Sequence, residues 1–187
     1  MNLKKLVLGS TLLASTLFAG NYNVDVSHSS VGFKVKHMMI SNVVGKFDTF
    51  KGTFEYDEKK NTLTSLNGQI DVMSVNTENA KRDGHLKDTD MFDVAKYPMI
   101  NFVVTKIEDE DVYGDFTLKG VTKNIKLELE NGGTIKDPWG NYRAGFVLTG
   151  KIKRSDYGLT YNSVLEAGGV AVGDIVKLNI EVEGIKK

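Results

Sequence analysis

Three histidines, at positions 28, 37 and 85, are the side chains of this 187-residue chain best suited to proton transfer or metal ligation near neutral pH. A metal centre would require them to converge with carboxylates such as Asp25 or Asp83. They fall on separate stretches and lack the close ligand pairs of common zinc motifs, so no metal site is expected. The run His28-Ser29-Ser30 has the residue types of nucleophilic catalysis. Adjacent residues of an extended strand face opposite ways, however, and no strained Gly-x-Ser-x-Gly turn accompanies them. No catalytic residue is assigned, and the chain is read as a non-enzyme. Arg82, Asp83, His85 and Lys87 form a denser polar group. An Arg or His beside an apolar opening would hold a polar or anionic lipid head by charge-assisted hydrogen bonds. The competing reading has Arg82 and Asp83 pairing structurally with Arg154-Ser155-Asp156. His37, Arg82, Asp83 and His85 are therefore the candidates for contact with a ligand head group.

These side chains must be carried by something, and the start of the chain bears on where it works. Lys4-Lys5 supply a positive start, 6–18 a short apolar stretch, and Ala19-Gly20 small residues for cleavage. This is the pattern of an export signal. The apolar part is too short for a hydrocarbon layer of roughly 30 Å, and no later segment reaches the roughly 18 apolar residues of a membrane helix. Residues 1–19 are expected to be a cleavable signal peptide and 20–187 a single exported domain that does not span the membrane. About 168 residues bury enough surface to fold without staples, consistent with the absence of Cys. Lys plus Arg balance Asp plus Glu at 24 each. With no basic stripe, nucleic acid is not an expected partner.

Alternation of apolar and charged residues dominates the rest. Ile125, Leu127 and Leu129 alternate with Lys126, Glu128 and Glu130, and Val176, Leu178, Ile180 and Val182 with Lys177, Asn179, Glu181 and Glu183. Such period-2 runs are strands with one dry and one wet face. Eight or nine strands are predicted, over 22–27, 31–37, 45–56, 62–74, 99–107, 112–118, 122–130, 144–154 and 172–183. Turn signals lie at 57–61, 108–111, 119–120 and 131–133. Asp137-Pro138-Trp139-Gly140 reads as a further turn, whose Trp139 would either cap the molecule or serve a partner surface. Between 76 and 94 the alternation stops. Asn76 or Thr77 can cap a short helix there, with Gly84 weakening its interior. The fold class is therefore all-β, and long antiparallel strands are expected to close as a barrel, which removes the exposed edges a sandwich keeps.

An eight-stranded barrel is either filled by side chains or just able to hold one ligand. Seven Phe residues fall in predicted strands, and the plainest reading is that they fill the core. Strand length favours a tunnel for a lipid tail, because ten residues at about 3.3 Å, tilted near 40°, make a wall roughly 25 Å tall. A solid-cored structural or stress-response protein is the alternative, and an enzyme of unknown reaction, which would need a polar cluster inside the barrel, ranks behind it.

Specific strings sharpen this. Among them are His28-Ser29-Ser30-Val31-Gly32-Phe33, Lys81-Arg82-Asp83-Gly84-His85-Leu86-Lys87, Asp90-Met91-Phe92-Asp93, Tyr97-Pro98-Met99-Ile100-Asn101-Phe102, Gly114-Asp115-Phe116-Thr117-Leu118-Lys119-Gly120 and Arg154-Ser155-Asp156-Tyr157-Gly158-Leu159. In this order the chain resembles the YceI-like family of bacterial polyisoprenoid-binding proteins. It departs from the pattern at Met91, where an aromatic is common, and Asn76, where Asp is common. The resemblance implies an extended, lipocalin-like antiparallel β-barrel of about eight strands with a short helix between strands. It also implies a bound long-chain isoprenoid, quinone or amphiphilic lipid, a periplasmic address, and often a homodimer. No catalytic cofactor is implied. On this reading the tunnel lining comes from Phe33, Val35, Phe47, Phe54, Ile70, Met91, Phe92, Phe102, Phe116 and Phe146.

Overall fold

The computed structural model describes residues 19–164 and 168–187. Of the expected signal peptide, residues 1–18 lie outside the described residues. The alternating stretches form eleven strands: β1 (Ala19–Val24), β2 (Ser30–His37), β3 (Ser41–Phe47), β4 (Phe50–Asp57), β5 (Thr62–Asp71), β6 (Val75–Asn76), β7 (Met99–Glu108), β8 (Asp111–Leu118), β9 (Val121–Lys136), β10 (Tyr142–Lys153) and β11 (Val172–Lys186). One helix, α1 (Ala80–Lys87), lies between β6 and β7.

Every pairing in the sheet is antiparallel, and the order β1-β4-β5-β7-β8-β9-β10-β11 returns to β1. Eight walls thus close a barrel. Several walls are built from two strands in succession. Along β11, residues 184–186 pair with β1, and residues 172–181 pair with β2. β1 and β2 are therefore two parts of one wall, separated by the 3-10 turn Val26–His28. In the next wall β3 pairs with β2 and β4 with β1, with Asp48 and Thr49 between them. The expected single strands 45–56 and 62–74 are interrupted at these joints. The second is broken by the 3-10 turn Val72–Ser74, which separates β5 from the two-residue β6. From β6, whose described pairing is with β3, the chain passes into α1 and a set of turns before β7.

Two expectations need correction. The 131–133 segment is not a turn, because β9 runs on to Lys136. Phe146 pairs with Asn131 and Gly145 with Gly133, so Gly132 is an inserted residue absorbed as a bulge. The chain reverses instead at Asp137, whose carboxylate accepts from the backbone N–H of Trp139 (3.0 Å) and of Asn141 (2.8 Å). Trp139 is 82% exposed, so it does not cap the barrel. The helix is capped by Asn79 and not by Asn76 or Thr77. The Asn79 side chain accepts from the N–H of Arg82 at 3.0 Å, satisfying one of the helix's orphan donors.

Inside, the end of the barrel bounded by β1 and β4 is solid. The Tyr22 and Phe54 rings stack at 5.1 Å, and Phe54 meets Phe146 edge-on at 5.0 Å. Tyr56, Leu63, Leu127 and Leu148 complete this plug and are buried. Outside it, Arg143 reaches Asp137 (2.7 Å), Asp25 (2.7 Å) and Glu183 (2.5 Å), while His28 Nδ1 lies 2.9 Å from Asp25. Asp25, His28 and Glu183 come close enough together to suggest a metal site. The Arg143 guanidinium already bridges Asp25 and Glu183 and supplies their positive charge.

Two predictions follow from local physics. Gly84 is exposed inside α1, and a Cβ there meets nothing within 4 Å. Gly84→Ala should stabilise by about 0.5–1 kcal/mol, read as a higher urea midpoint at unchanged m-value. Hydrogen bonding, first to Arg143 and then to His28, holds the Asp25 carboxyl at about 2, and Arg143 likewise holds Asp137 well below the usual carboxylate range. Because these folded-state values are depressed, their stabilisation is complete above the ordinary carboxylate range near pH 4 and disappears as pH falls through the folded values. Urea unfolding from pH 5 to pH 2 should show this acid loss in the wild type and a flatter profile in Arg143→Met.

Candidate functional site

Past the aromatic plug the barrel interior is vacant. A cavity of about 240 Å³ occupies the end bounded by β2, β3 and α1. Inward positions of the alternating strands make its wall: Phe33 and Val35 from β2, Val43 and Phe47 from β3, Phe116 and Leu118 from β8, Val176 and Leu178 from β11. Close packing within the wall depends on glycine at one point. The Phe33 ring lies over Gly45, its partner across β2 and β3, where a Cβ would stand 2.3 Å from Phe33 Cζ. Phe47 bridges Phe33 and Phe92, with ring centroids 5.7 and 6.1 Å away. Leu86 of α1, with Met91 and Phe92 from the turns that follow, covers the side where the wall ends at β6.

Six of the expected lining residues are therefore brought together here: Phe33, Val35, Phe47, Met91, Phe92 and Phe116. Four lie outside the cavity. Phe54 and Phe146 belong to the aromatic plug. Phe102 is buried but lies over Gly114, where a Cβ would come within 2.5 Å of its ring, and Ile70 packs against the core. All ten are apolar, and for the eight that lie on strands alternation gives their side of the sheet but not their height along the barrel axis. The tunnel consequently occupies one end of the barrel and does not run its full length.

Of the head-group candidates, His37, Arg82 and His85 line the cavity and Asp83 does not. The Asp83 carboxylate accepts from the Thr77 N–H (2.9 Å) and from the Thr77 hydroxyl. Arg82 donates from Nε to Thr77 Oγ1 (2.7 Å) and from Nη2 to Thr77 O (2.8 Å). Arg82 and Asp83 thus tie the start of α1 to the residue that follows β6, and neither bonds to 154–156 among the described residues. His85 stands edge-on to Tyr161 at 4.6 Å, with Nε2 3.1 Å from Asp90.

Sequence reasoning missed Lys36, Arg154 and Tyr161, all of which line the cavity. Arg154 is 6% exposed. It donates from Nε to Gly173 O (2.9 Å), from Nη1 to Leu159 O (2.5 Å) and from Nη2 to Val172 O (3.2 Å). Burial pushes its guanidinium below the ordinary value, with Asp174 acting the other way. Nearby, Tyr157 packs edge-on against Phe116 at 5.5 Å. Its buried hydroxyl has no partner among the described residues, and burial pushes it up to about 12. The available signal was a charged residue ending the inward alternation of β10, two positions after Ile152. The lining therefore contains Lys36, Arg82 and Arg154, two histidines, and no carboxylate among the described residues. It is a mostly apolar pocket with three cationic side chains in its lining.

Comparison with known proteins agrees with this geometry. A model of the YceI-like domain matches residues 22–184. Protein YceI of Salmonella newport (strain SL254) is 39% identical over 197 residues, covering 99% of this chain and all of that one. The solved YceI protein of Campylobacter jejuni is 40% identical with a TM-score of 0.69, over 87% of this chain and 96% of that chain. A polyisoprenoid binding domain from Saccharophagus degradans shares the fold at 19% identity, with a TM-score of 0.67 over 89% and 98% of the two chains. A closed eight-walled barrel, a single helix over its open end and a family match across nearly all the described residues lead to one conclusion: this chain belongs to the YceI-like family.

Proposed function

We propose that this protein is a periplasmic carrier or store for a long-chain isoprenoid, quinone or related amphiphilic lipid, and that it performs no chemical step. The observation that carries the proposal is the cavity of about 240 Å³ with a mostly apolar lining, to which Lys36, His37, Arg82, His85, Arg154 and Tyr161 add the polar groups. Burying a lipid tail there gains about 0.8 kcal/mol per methylene, so binding needs little polar chemistry. The solved relative described as a polyisoprenoid binding domain supports the ligand class. Export by a cleavable signal would place the protein where such lipids pass between membranes. A homodimer is the proposed assembly, to be checked by light scattering on the purified chain.

The alternative, a structural protein with a filled core, takes support from the Tyr22–Phe54–Phe146 plug. One pair of substitutions separates the two. Phe33→Trp adds volume beside the cavity, and Phe102→Trp adds it against Gly114 in packed core. Phe102→Trp should cost about 1–3 kcal/mol in urea unfolding, whereas Phe33→Trp should cost less and lower lipid retention. Equal losses of stability with unchanged retention would favour the filled core. Native mass spectrometry of protein purified without detergent tests the proposal directly. A co-purifying apolar adduct is expected, and protein that carries none and takes up neither a quinone nor a prenyl lipid would overturn it.

A further inference from the structure

The chain contains two well-enclosed arginines and treats them in opposite ways. Arg143 is bridged to three carboxylates, Asp25, Asp137 and Glu183. Arg154 is more deeply buried than Arg143, at 6% exposure, yet no carboxylate lies within ion-pair distance of it among the described residues. The acid nearest in sequence to its contacts, Asp174, is engaged elsewhere, accepting from Ser155 N (3.0 Å) and Ser155 Oγ (2.9 Å). A guanidinium has five N–H donors. Three carbonyl bonds, one from each nitrogen, leave two of them without a partner among the described residues. Asp174 acts on Arg154 through space without an ion-pair contact, and a buried cation lacking a directly bonded counter-charge is costly.

Arg154 also faces the cavity, whose border includes Lys36 and Arg82 and no carboxylate. From these observations we infer that the ligand carries an anionic head, a carboxylate or a phosphate, and that Arg154 is its counter-ion. The inference rests on the lipid-binding reading and narrows it. The apolar tail lies among Phe33, Phe47 and Phe116, and the head accepts from the two spare N–H groups of Arg154. The three carbonyl bonds fix the guanidinium plane before the ligand arrives, so little side-chain freedom is lost on binding.

The experiment uses the purified chain, stripped of bound lipid and loaded with the neutral fluorescent probe N-phenyl-1-naphthylamine. Decanol, decanoate and decyl phosphate are compared as displacing ligands sharing one tail. At least one anion should displace the probe at a concentration about tenfold lower than decanol, as expected of charge-assisted bonds, and the better anion identifies the head. Arg154→Gln should abolish that preference, so that anion and alcohol displace the probe at equal concentrations, and Arg154→Lys should keep part of it. If Arg154→Gln does not fold, the wild-type ratio of anion to alcohol still decides. Equal displacement by all three ligands overturns the anionic head and leaves apolar binding standing. An anion preference that survives Arg154→Gln but is lost in Arg82→Gln overturns the role of Arg154. Failure of the probe and all three ligands to bind overturns both this inference and the lipid-binding reading.

Discussion

Closure of the barrel depends on how β11 shares its pairing. Its fifteen residues pair with β10 along one edge and are divided between β1 and β2 along the other. Without that division β1 and β2 could not act as a single wall, and the sheet would keep an open edge of the kind that invites association with other chains. The same division sets the breaks between β3 and β4 and between β5 and β6. These breaks end the β5–β6 wall early and require α1 and the following turns to cover one side.

The two ends of the barrel consequently meet different packing demands. An eight-stranded barrel is just wide enough for side chains to fill. Around β1 and β4 the rings of Tyr22, Phe54 and Phe146 meet across the interior, and their contacts leave no room for a guest. Around β2 and β3 the rings of Phe33, Phe47 and Phe92 lie along the wall, and a cavity remains between that wall and β8. Similar residue types build both ends. The difference lies in whether the facing position holds another ring or a covering segment drawn from 80–98.

Charge follows the same division. At the solid end, Arg143 draws Asp25, Asp137 and Glu183 into a network that pins the β9–β10 turn and the β1–β2 joint to β11. Its cation is neutralised by the protein itself. At the hollow end the hydrogen bonds of Arg154 go to carbonyl oxygens, which orient a guanidinium without neutralising it, and Asp174, bonded to Ser155, acts on it only through space. Since carbonyl dipoles satisfy hydrogen-bonding capacity but supply no net charge, the cavity border keeps a positive field that an apolar chain alone would not require.

Period-2 alternation determined the strands and their dry faces, because side-chain direction in a strand is a local property of the backbone. The runs at 125–130 and 176–183 became the centres of β9 and β11 with the expected residues inward. Closure was legible too, from strand length and the cost of open edges. What sequence could not supply was position along the barrel axis. Phe102 and Phe116 are paired neighbours on β7 and β8, both apolar and both inward, yet only Phe116 reaches the cavity. Nor could it say that Asp83 would turn to Thr77, or that Arg154 would end at the cavity and not against Asp83. Those outcomes depend on contacts between residues far apart in the chain, on the bulge at Gly132 and on the shared pairing of β11, none of which leaves a local signature. The residue types of the pocket were therefore set by sequence, whereas its membership, extent and charge were decided by tertiary structure.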